Sequence, residues 1–301
     1  RRLRMSDPHL RIRASGYGGS GYFNPFTGEK VIGVTTALGA IDAPGIRSWV
    51  AEQTAAYAVA NVDMLLERDE ERGFAALRWY HNRMTPKKYD DPEIDIENYH
   101  VGVLNDLAEL GTLTHEWIEA YVQDLFPPDL VRDEQYAMVD SFVEWWDDQD
   151  VEIHAVEATL FGGTGQMAYG GTADLFVNLN GKNMLIDVKT SRAVYDSHVA
   201  QLAAYGAADT YAKEVPEGTE GAVEYKKKWF VAEPLPPVEA YGVLRVRPDD
   251  WTDTGEFIPS FCELQVIPHN QISGGYQMFQ GAVQVRQGQR EYKQAVKEGE
   301  G

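Results

Sequence analysis

Asp174, Asp187 and Lys189 are the residues whose types and spacing could do chemistry together. Gly170-Gly171-Thr172-Ala173-Asp174 runs toward an Asn180-Gly181 pair, and Leu185-Ile186-Asp187-Val188-Lys189-Thr190 follows it. Asn-Gly between two apolar runs is a strong hairpin signal. On a strand alternate side chains share a face, so Asp187 and Lys189 project together while Ile186 and Val188 point to the core. A short hairpin can then bring Asp174 beside Asp187. Neighbouring carboxylates repel unless a cation sits between them, and hard oxygen donors of this kind suit Mg²⁺ or Mn²⁺. Such an ion polarises a phosphoryl oxygen and acidifies a water, while a nearby lysine orients the nucleophile or offsets developing negative charge. Asp-x-Lys alone is a common pattern on solvated strand ends, so its company decides its meaning.

That company lies on both sides of it. Gln201 and Tyr205 stand four apart, hence on one helical face, soon after the Asp-x-Lys strand. Upstream, Gly111-Thr112-Leu113-Thr114-His115-Glu116 places a histidine in an amphipathic helix, with Glu119 four residues beyond it. Glu157 lies on the strand preceding that of Asp174.

This ordered set resembles the RecB-type branch of the PD-(D/E)XK nuclease superfamily. That branch includes the nuclease domain of RecB, CRISPR-associated adaptation nucleases and many phage-encoded exonucleases. The matching motifs are G-x-x-x-H on a helix (Gly111, His115), G-x-x-D (Gly171, Asp174), D-x-K (Asp187, Lys189) and Q-x-x-x-Y (Gln201, Tyr205). They span residues 104–208, about a third of the chain. Each is weak alone; four in this order are specific. The resemblance implies an α/β fold with a restriction-endonuclease-like core, a mixed central sheet flanked by helices and extended by a helical N-terminal region. It implies His115, Asp174 and Asp187 as metal ligands with the Val188 carbonyl as a further one, and Lys189 as a catalytic group. Gln201 and Tyr205 would support the site and contact the DNA strand, and Glu157 matches a position often acidic in relatives. An imidazole ligand makes Mn²⁺ an alternative to Mg²⁺. The CRISPR-associated members often hold an iron–sulfur cluster on four cysteines; Cys262 is the only cysteine here, so no such cluster is expected.

The expected activity is metal-dependent hydrolysis of DNA, exonuclease rather than endonuclease on resemblance alone, in phage recombination, repair or replication. DNA is the expected partner, together with a recombination annealing protein or a single-strand-binding protein. Two other classes stay open: a nuclease-fold protein that binds DNA or acts as a scaffold, and a phosphoesterase acting on nucleotides. Residues 31–38, Val-Ile-Gly-Val-Thr-Thr-Ala-Leu, are similar to a V-T/S-x-I-L element found ahead of the core in phage relatives. Thr35 or Thr36 at a helix start could hold a DNA phosphate or 5′ end; ordinary N-capping explains the same residues.

Composition sets the limits of this reading. The chain has 301 residues, 44% hydrophobic and 25% charged, as in an ordinary soluble globular protein. No apolar run approaches the ~18–20 residues that cross a bilayer, and no signal-peptide pattern is read, so no membrane association and a cytoplasmic location are expected. Met5 is the expected natural start. The net charge of -20 opposes long-range attraction to nucleic acid. Cationic clusters interrupt it: the arginine-rich start through Arg13, Lys87-Lys88 and Lys226-Lys227-Lys228, each more readily read as a solvated loop than as a binding patch.

The elements that must position the site follow from pattern. A hairpin is expected over 22–34, helices over 46–68 and 71–83, and a polar stretch over 85–99. Helices over 103–121 and 134–149 precede strands over 151–161, 171–178 and 184–189. A helix over 196–213, a charged loop, strands over 240–247 and 261–267, and an amphipathic helix over 274–296 complete the chain. Residues 1–100 are expected as a hairpin and helical region packed on a core of 101–301, in one structural domain. Gly162-Gly163-Thr164-Gly165 lacks the Lys-Ser/Thr of a phosphate loop, and His115-Glu116-Trp117-Ile118-Glu119 lacks the second histidine of a zinc motif.

Overall fold

A computed structural model describes residues 10–14, 19–41, 44–63, 99–252 and 254–299. The expected helix over 71–83, nearly all of the polar stretch over 85–99, Lys87-Lys88 and most of the arginine-rich start lie outside the described residues. The chain divides into two units, Arg1–Ile41 with Leu113–Gly301, and Asp42–Thr112. In the second, Pro44 opens α2 (Pro44–Ala60), where a missing N–H is harmless, and an alanine-rich, glycine-free run from Val50 continues it. The chain re-emerges in α3 (Tyr99–Val122), whose last turns belong to the first unit.

The first unit is built on a mixed sheet of eleven strands. The N-terminal hairpin is part of it. β1 (Arg11–Ala14) and β2 (Gly19–Asn24) pair antiparallel, and Pro25–Gly28 turns the chain into β3 (Glu29–Gly33), with Gly28 at φ 73°. β3 joins β5 (Tyr169–Leu179) in parallel through Ile32↔Tyr169 and Gly33↔Gly170. β4 (Val151–Gly162) runs antiparallel along the other edge of β5. β6 (Lys182–Lys189) returns along β5 from the Asn180-Gly181 turn, whose φ values of 50° and 83° are the left-handed pair that Asn-Gly favours.

β5 therefore serves two neighbours on one edge. β3 takes its start and β6 takes Leu175–Leu179, so Gly171 to Asp174 have no ladder partner on that side among the described pairings. The fork between β3 and β6 opens at Asp174. Beyond β6, β10 (Ala240–Arg247) pairs parallel with it and β13 (Phe261–Ile267) pairs antiparallel with β10.

Helices flank the sheet. α4 (Asp133–Asp147) packs on β10 and β13, while α5 (Asp196–Gly206) and the long α6 (His269–Gly299) pack together over β5, β6 and β10. The short α1 (Val34–Leu38) sits against both. Leu160, Phe176, Leu185, Leu202, Val243 and Phe279 form the centre of this core, each almost fully buried. Truncating one such leucine to alanine costs about 2–5 kcal/mol, a large part of a domain's net stability of about 5–15 kcal/mol. No described helix is long and apolar enough to cross a membrane.

The helix expected over 196–213 ends at Gly206, and Thr210–Val215 is a strand, β7. Gly206 lies flush against Tyr241, where an added Cβ would come within 2.4 Å of its ring. The Asp209 N–H donates to the Phe161 carbonyl at 2.9 Å, turning the chain onto β4. Much of the expected charged loop is likewise strand. β8 (Val223–Tyr225) and β9 (Lys228–Pro234) form a hairpin that pairs with β7. Phe230 on β9 then meets Leu10, Tyr22, Val31 and Phe161, and Tyr225 stacks on Phe23 at 4.5 Å. The two ends of the sheet path curl together around this second small core.

Candidate active site

Strand pairing lines up three carboxyl groups. Val156↔Leu175 and Ala158↔Ala173 put Glu157 opposite Asp174, and continuing the β5–β6 register past Leu175↔Ile186 puts Asp174 opposite Asp187. The ladder stops at Leu175↔Ile186, and past it a side chain takes a backbone hydrogen bond. The Val188 N–H donates to Asp174 Oδ2 at 2.7 Å. α3 brings His115 Nδ1 to 3.8 Å from the same oxygen. The middle residue of Asp-x-Lys thus serves the site through its main chain while its side chain is buried in the core.

Asp187 is fully buried. A carboxylate taken out of water loses several kcal/mol of solvation, so its partners decide whether it is tolerated. Gln201 Nε2 donates to Oδ1 at 3.1 Å, and the Lys189 ammonium stands 2.6 Å from Oδ2. Oδ2 nevertheless accepts no well-aligned hydrogen bond. Burial pushes the Asp187 carboxyl up to about 6 against the pull of Lys189, with Asp174 adding to the rise. Burial pulls Lys189 down, but Asp187 and Asp174 together outweigh it, so the amine is held above its usual range and stays charged. His115 is lowered to about 4, by burial first and by Lys189 second, leaving a neutral imidazole with a lone pair to offer.

Glu157 holds φ 50° in the middle of a strand, a conformation that costs an L-residue about 1–2 kcal/mol. Burial, then Asp174, then Glu119 raise its carboxyl to about 9. Glu119 is buried one helical turn beyond His115 and is part of the same acidic field. Its spacing from His115 was visible in the sequence, but nothing there tied it to the strands. Tyr22 was missed as well. Its hydroxyl shares a 3.0 Å hydrogen bond with Thr172 Oγ1, and the acidic charges of Glu157 and Asp174 reach it.

The two glycines of the G-x-x-D segment are explained by aromatic rings. A Cβ on Gly170 would sit 2.8 Å from Tyr22 Cβ, and one on Gly171 would sit 2.4 Å from Tyr205 Cε1. Tyr205 is buried against that backbone, and its hydroxyl accepts from Gln201 Nε2 at 2.9 Å.

The structure thus brings together His115, Glu157, Asp174, Asp187, Val188, Lys189, Gln201 and Tyr205. Thr35 and Thr36 differ. They occupy the second and third positions of a five-residue helix whose N-cap is Gly33, without a side-chain cap, so the N-capping explanation for them fails. Thr35 is exposed, and the Thr36 carbonyl accepts from Arg286 Nε at 3.0 Å.

The donors suit a divalent cation. Two atoms about 2.1 Å from one ion lie about 3 Å apart at right angles and at most about 4.2 Å apart; the 3.8 Å between His115 Nδ1 and Asp174 Oδ2 falls inside that span. Asp187 Oδ2, buried and without an aligned hydrogen bond, is a further oxygen that could serve such an ion. Among the described residues no three histidine, cysteine or carboxylate side chains already form a closed metal-binding group. Asp187 Oδ2 faces the Lys189 ammonium instead, and Asp174 Oδ2 faces the Val188 N–H. No protein-family model matches the chain, and no curated protein matches it.

Proposed function

We propose that this chain is a metal-dependent DNA nuclease of the RecB-type PD-(D/E)XK class, acting as an exonuclease with Mg²⁺ or Mn²⁺. The observation that carries the proposal is the convergence, at the β5–β6 fork, of two carboxylates, a charged lysine and a neutral imidazole around a buried oxygen with no aligned donor. His115, Asp174, Asp187 and the Val188 carbonyl are the groups that would hold the ion, which supplies charge neutralisation for a phosphoryl oxygen and acidity for the attacking water.

The chain's own residues do the rest. Lys189 keeps a proton and a positive charge beside the carboxylates, where negative charge grows on the phosphoryl group. Gln201 fixes Asp187 Oδ1, and Tyr205, packed on Gly171, fixes Gln201. Glu157 holds its proton at neutral pH, which limits repulsion among the carboxyls. The -20 net charge makes a bound cation a precondition for approach of a polyanion.

Digestion of 5′- and 3′-end-labelled single- and double-stranded DNA, beside mononucleotide phosphate esters, tests the proposal in Mg²⁺, Mn²⁺ or chelator. Progressive shortening of DNA from an end, abolished by chelator, is expected. Hydrolysis confined to the mononucleotides would make the chain a small-phosphate esterase, and no hydrolysis of either would favour a binding or scaffold protein.

A further inference from the structure

Lys189 makes the last register pair of β6 with β10, opposite Arg245. Residues 190–195 then lead, outside any helix or strand, to α5, whose Gln201 holds Asp187. Their placement therefore governs two things at once: where β6 delivers Lys189 and where α5 begins.

A carbonyl that has left a ladder is ordinarily satisfied by water on a surface loop. Here two are taken by guanidiniums reaching over from β10. Arg247 donates through Nη1 to the Thr190 carbonyl at 2.6 Å, and Arg245 donates through Nη1 to the Arg192 carbonyl at 2.6 Å. Arg247 is buried, and a buried guanidinium is costly unless its donors are engaged. A second bond, Nη2 to Asp250 Oδ2 at 2.8 Å, engages it further.

Asp250 is itself fixed. It opens β11 (Asp250–Trp251), which pairs with β12 (Phe257–Ile258), and the Trp251 N–H donates to its Oδ1 at 2.9 Å. Arg192 returns to the same carboxylate through Nε and Nη2, at 3.1 and 3.2 Å. The contacts close into a circuit: Arg247 holds Thr190 and Asp250, Asp250 holds the Arg192 side chain, and Arg245 holds the Arg192 carbonyl. A planar guanidinium fork fixes direction as well as distance, which a flexible point charge does not.

We propose that Arg247, anchored by Asp250, is a positioning residue for Lys189. It fixes the main chain just past β6, so that the ammonium meets Asp187 Oδ2 and α5 presents Gln201 to Oδ1. The proposal rests on the nuclease reading of the carboxylate site and adds to it a residue that none of the four motifs contains.

The test is steady-state digestion of a 5′-fluorescein oligonucleotide in Mg²⁺, with urea melts, for the wild type, Arg247→Met, Arg247→Lys and Asp250→Asn. Arg247→Met is expected to lower kcat about 10–100-fold with KM for DNA nearly unchanged, because a displaced reacting group costs rate and not binding. Arg247→Lys, which can reach the carbonyl or the carboxylate but not both, is expected to recover part of that loss. Asp250→Asn loosens the circuit from its exposed end and is expected to lower kcat by a smaller factor; it carries the test if Arg247→Met does not fold. A wild-type kcat in the folded variant, with or without a lower urea midpoint, would reduce the circuit to structural support and leave the nuclease reading standing. A change confined to KM would make Arg247 a strand contact and refute the positioning role as well. A wild type that digests no DNA in Mg²⁺ or Mn²⁺ would remove the nuclease reading and the positioning role with it.

Discussion

The side-chain amide of Gln201 crosses from α5 to Asp187, donating to Oδ1 at 3.1 Å while its other N–H meets the Tyr205 hydroxyl at 2.9 Å. One amide nitrogen thereby joins the most buried carboxylate of the site to a tyrosine packed on the glycine backbone of β5. Gln201 is thus a positioning residue for Asp187. Gln201→Leu keeps the volume and removes the donor, leaving Oδ1 buried and unpaired at about 1–3 kcal/mol. A fall of about 10–100-fold in kcat is expected, with KM for DNA nearly unchanged, because partners that orient ligands act on the chemistry. A change confined to KM would make Gln201 a strand contact instead.

Gly171→Ala tests the packing behind that relationship. The new methyl group would sit 2.4 Å from Tyr205 Cε1 and 3.1 Å from Val34 Cγ2, so a ring or the strand must move. Overpacking of this kind costs about 1–3 kcal/mol, readable as a lower urea midpoint, and activity should fall with it. An alanine variant as stable and active as the wild type would show that the close approach is not needed.

The legibility of the site follows from the range of its contacts. Asp-x-Lys, the Asn180-Gly181 turn and the Gln201/Tyr205 spacing are local patterns, and each lies on the element that its periodicity predicts. Tyr22 reaches the site across a sequence separation of 150 residues, through pairing of β3 with β5. No periodicity near Tyr22 records that. The misread end of α5 has the same origin. Ala207-Ala208 and Tyr211-Ala212-Lys213 continue a helical composition, but β9 offers residues 210–215 a ladder and β4 pairs residues 210–212 on the other side. Tertiary pairing overrides propensity there. Glu157 could be read as acidic and on a strand, but not as the left-handed residue opposite Asp174.

His115→Ala probes the metal set directly. The imidazole is neutral at pH 7 and lies 3.8 Å from Asp174 Oδ2, so its loss should weaken Mn²⁺ binding at least about tenfold by titration calorimetry. Unchanged Mn²⁺ affinity would take His115 out of the ligand set.

Acid sensitivity away from the site is predicted at Glu233. Its carboxylate accepts from Tyr211 at 2.5 Å and from Lys213 at 2.9 Å, and these bonds hold it below the usual carboxylate range. A depressed carboxyl contributes stability that is present above its unfolded value and lost as pH falls through its folded value. Tyr211→Phe should therefore lower stability by about 1 kcal/mol at neutral pH, and the gap between variant and wild type should close toward pH 3. Denaturant melts at the two pH values measure this; a gap that widens in acid would reverse the sign.

The central claim is that Asp174, Asp187 and Lys189 act as one metal-dependent phosphodiesterase centre, and Asp187 is its most committed member, buried, paired with Lys189 and held by Gln201. The most direct measurement is cleavage of end-labelled DNA by the wild type and by Asp187→Ala, in Mg²⁺, in Mn²⁺ and in chelator. Variants with a native circular dichroism spectrum are compared at equal concentration. The account predicts cleavage by the wild type in either metal, none in chelator, and a loss of at least about 10³-fold in the variant. Metal-dependent cleavage by Asp187→Ala at the wild-type rate would contradict it.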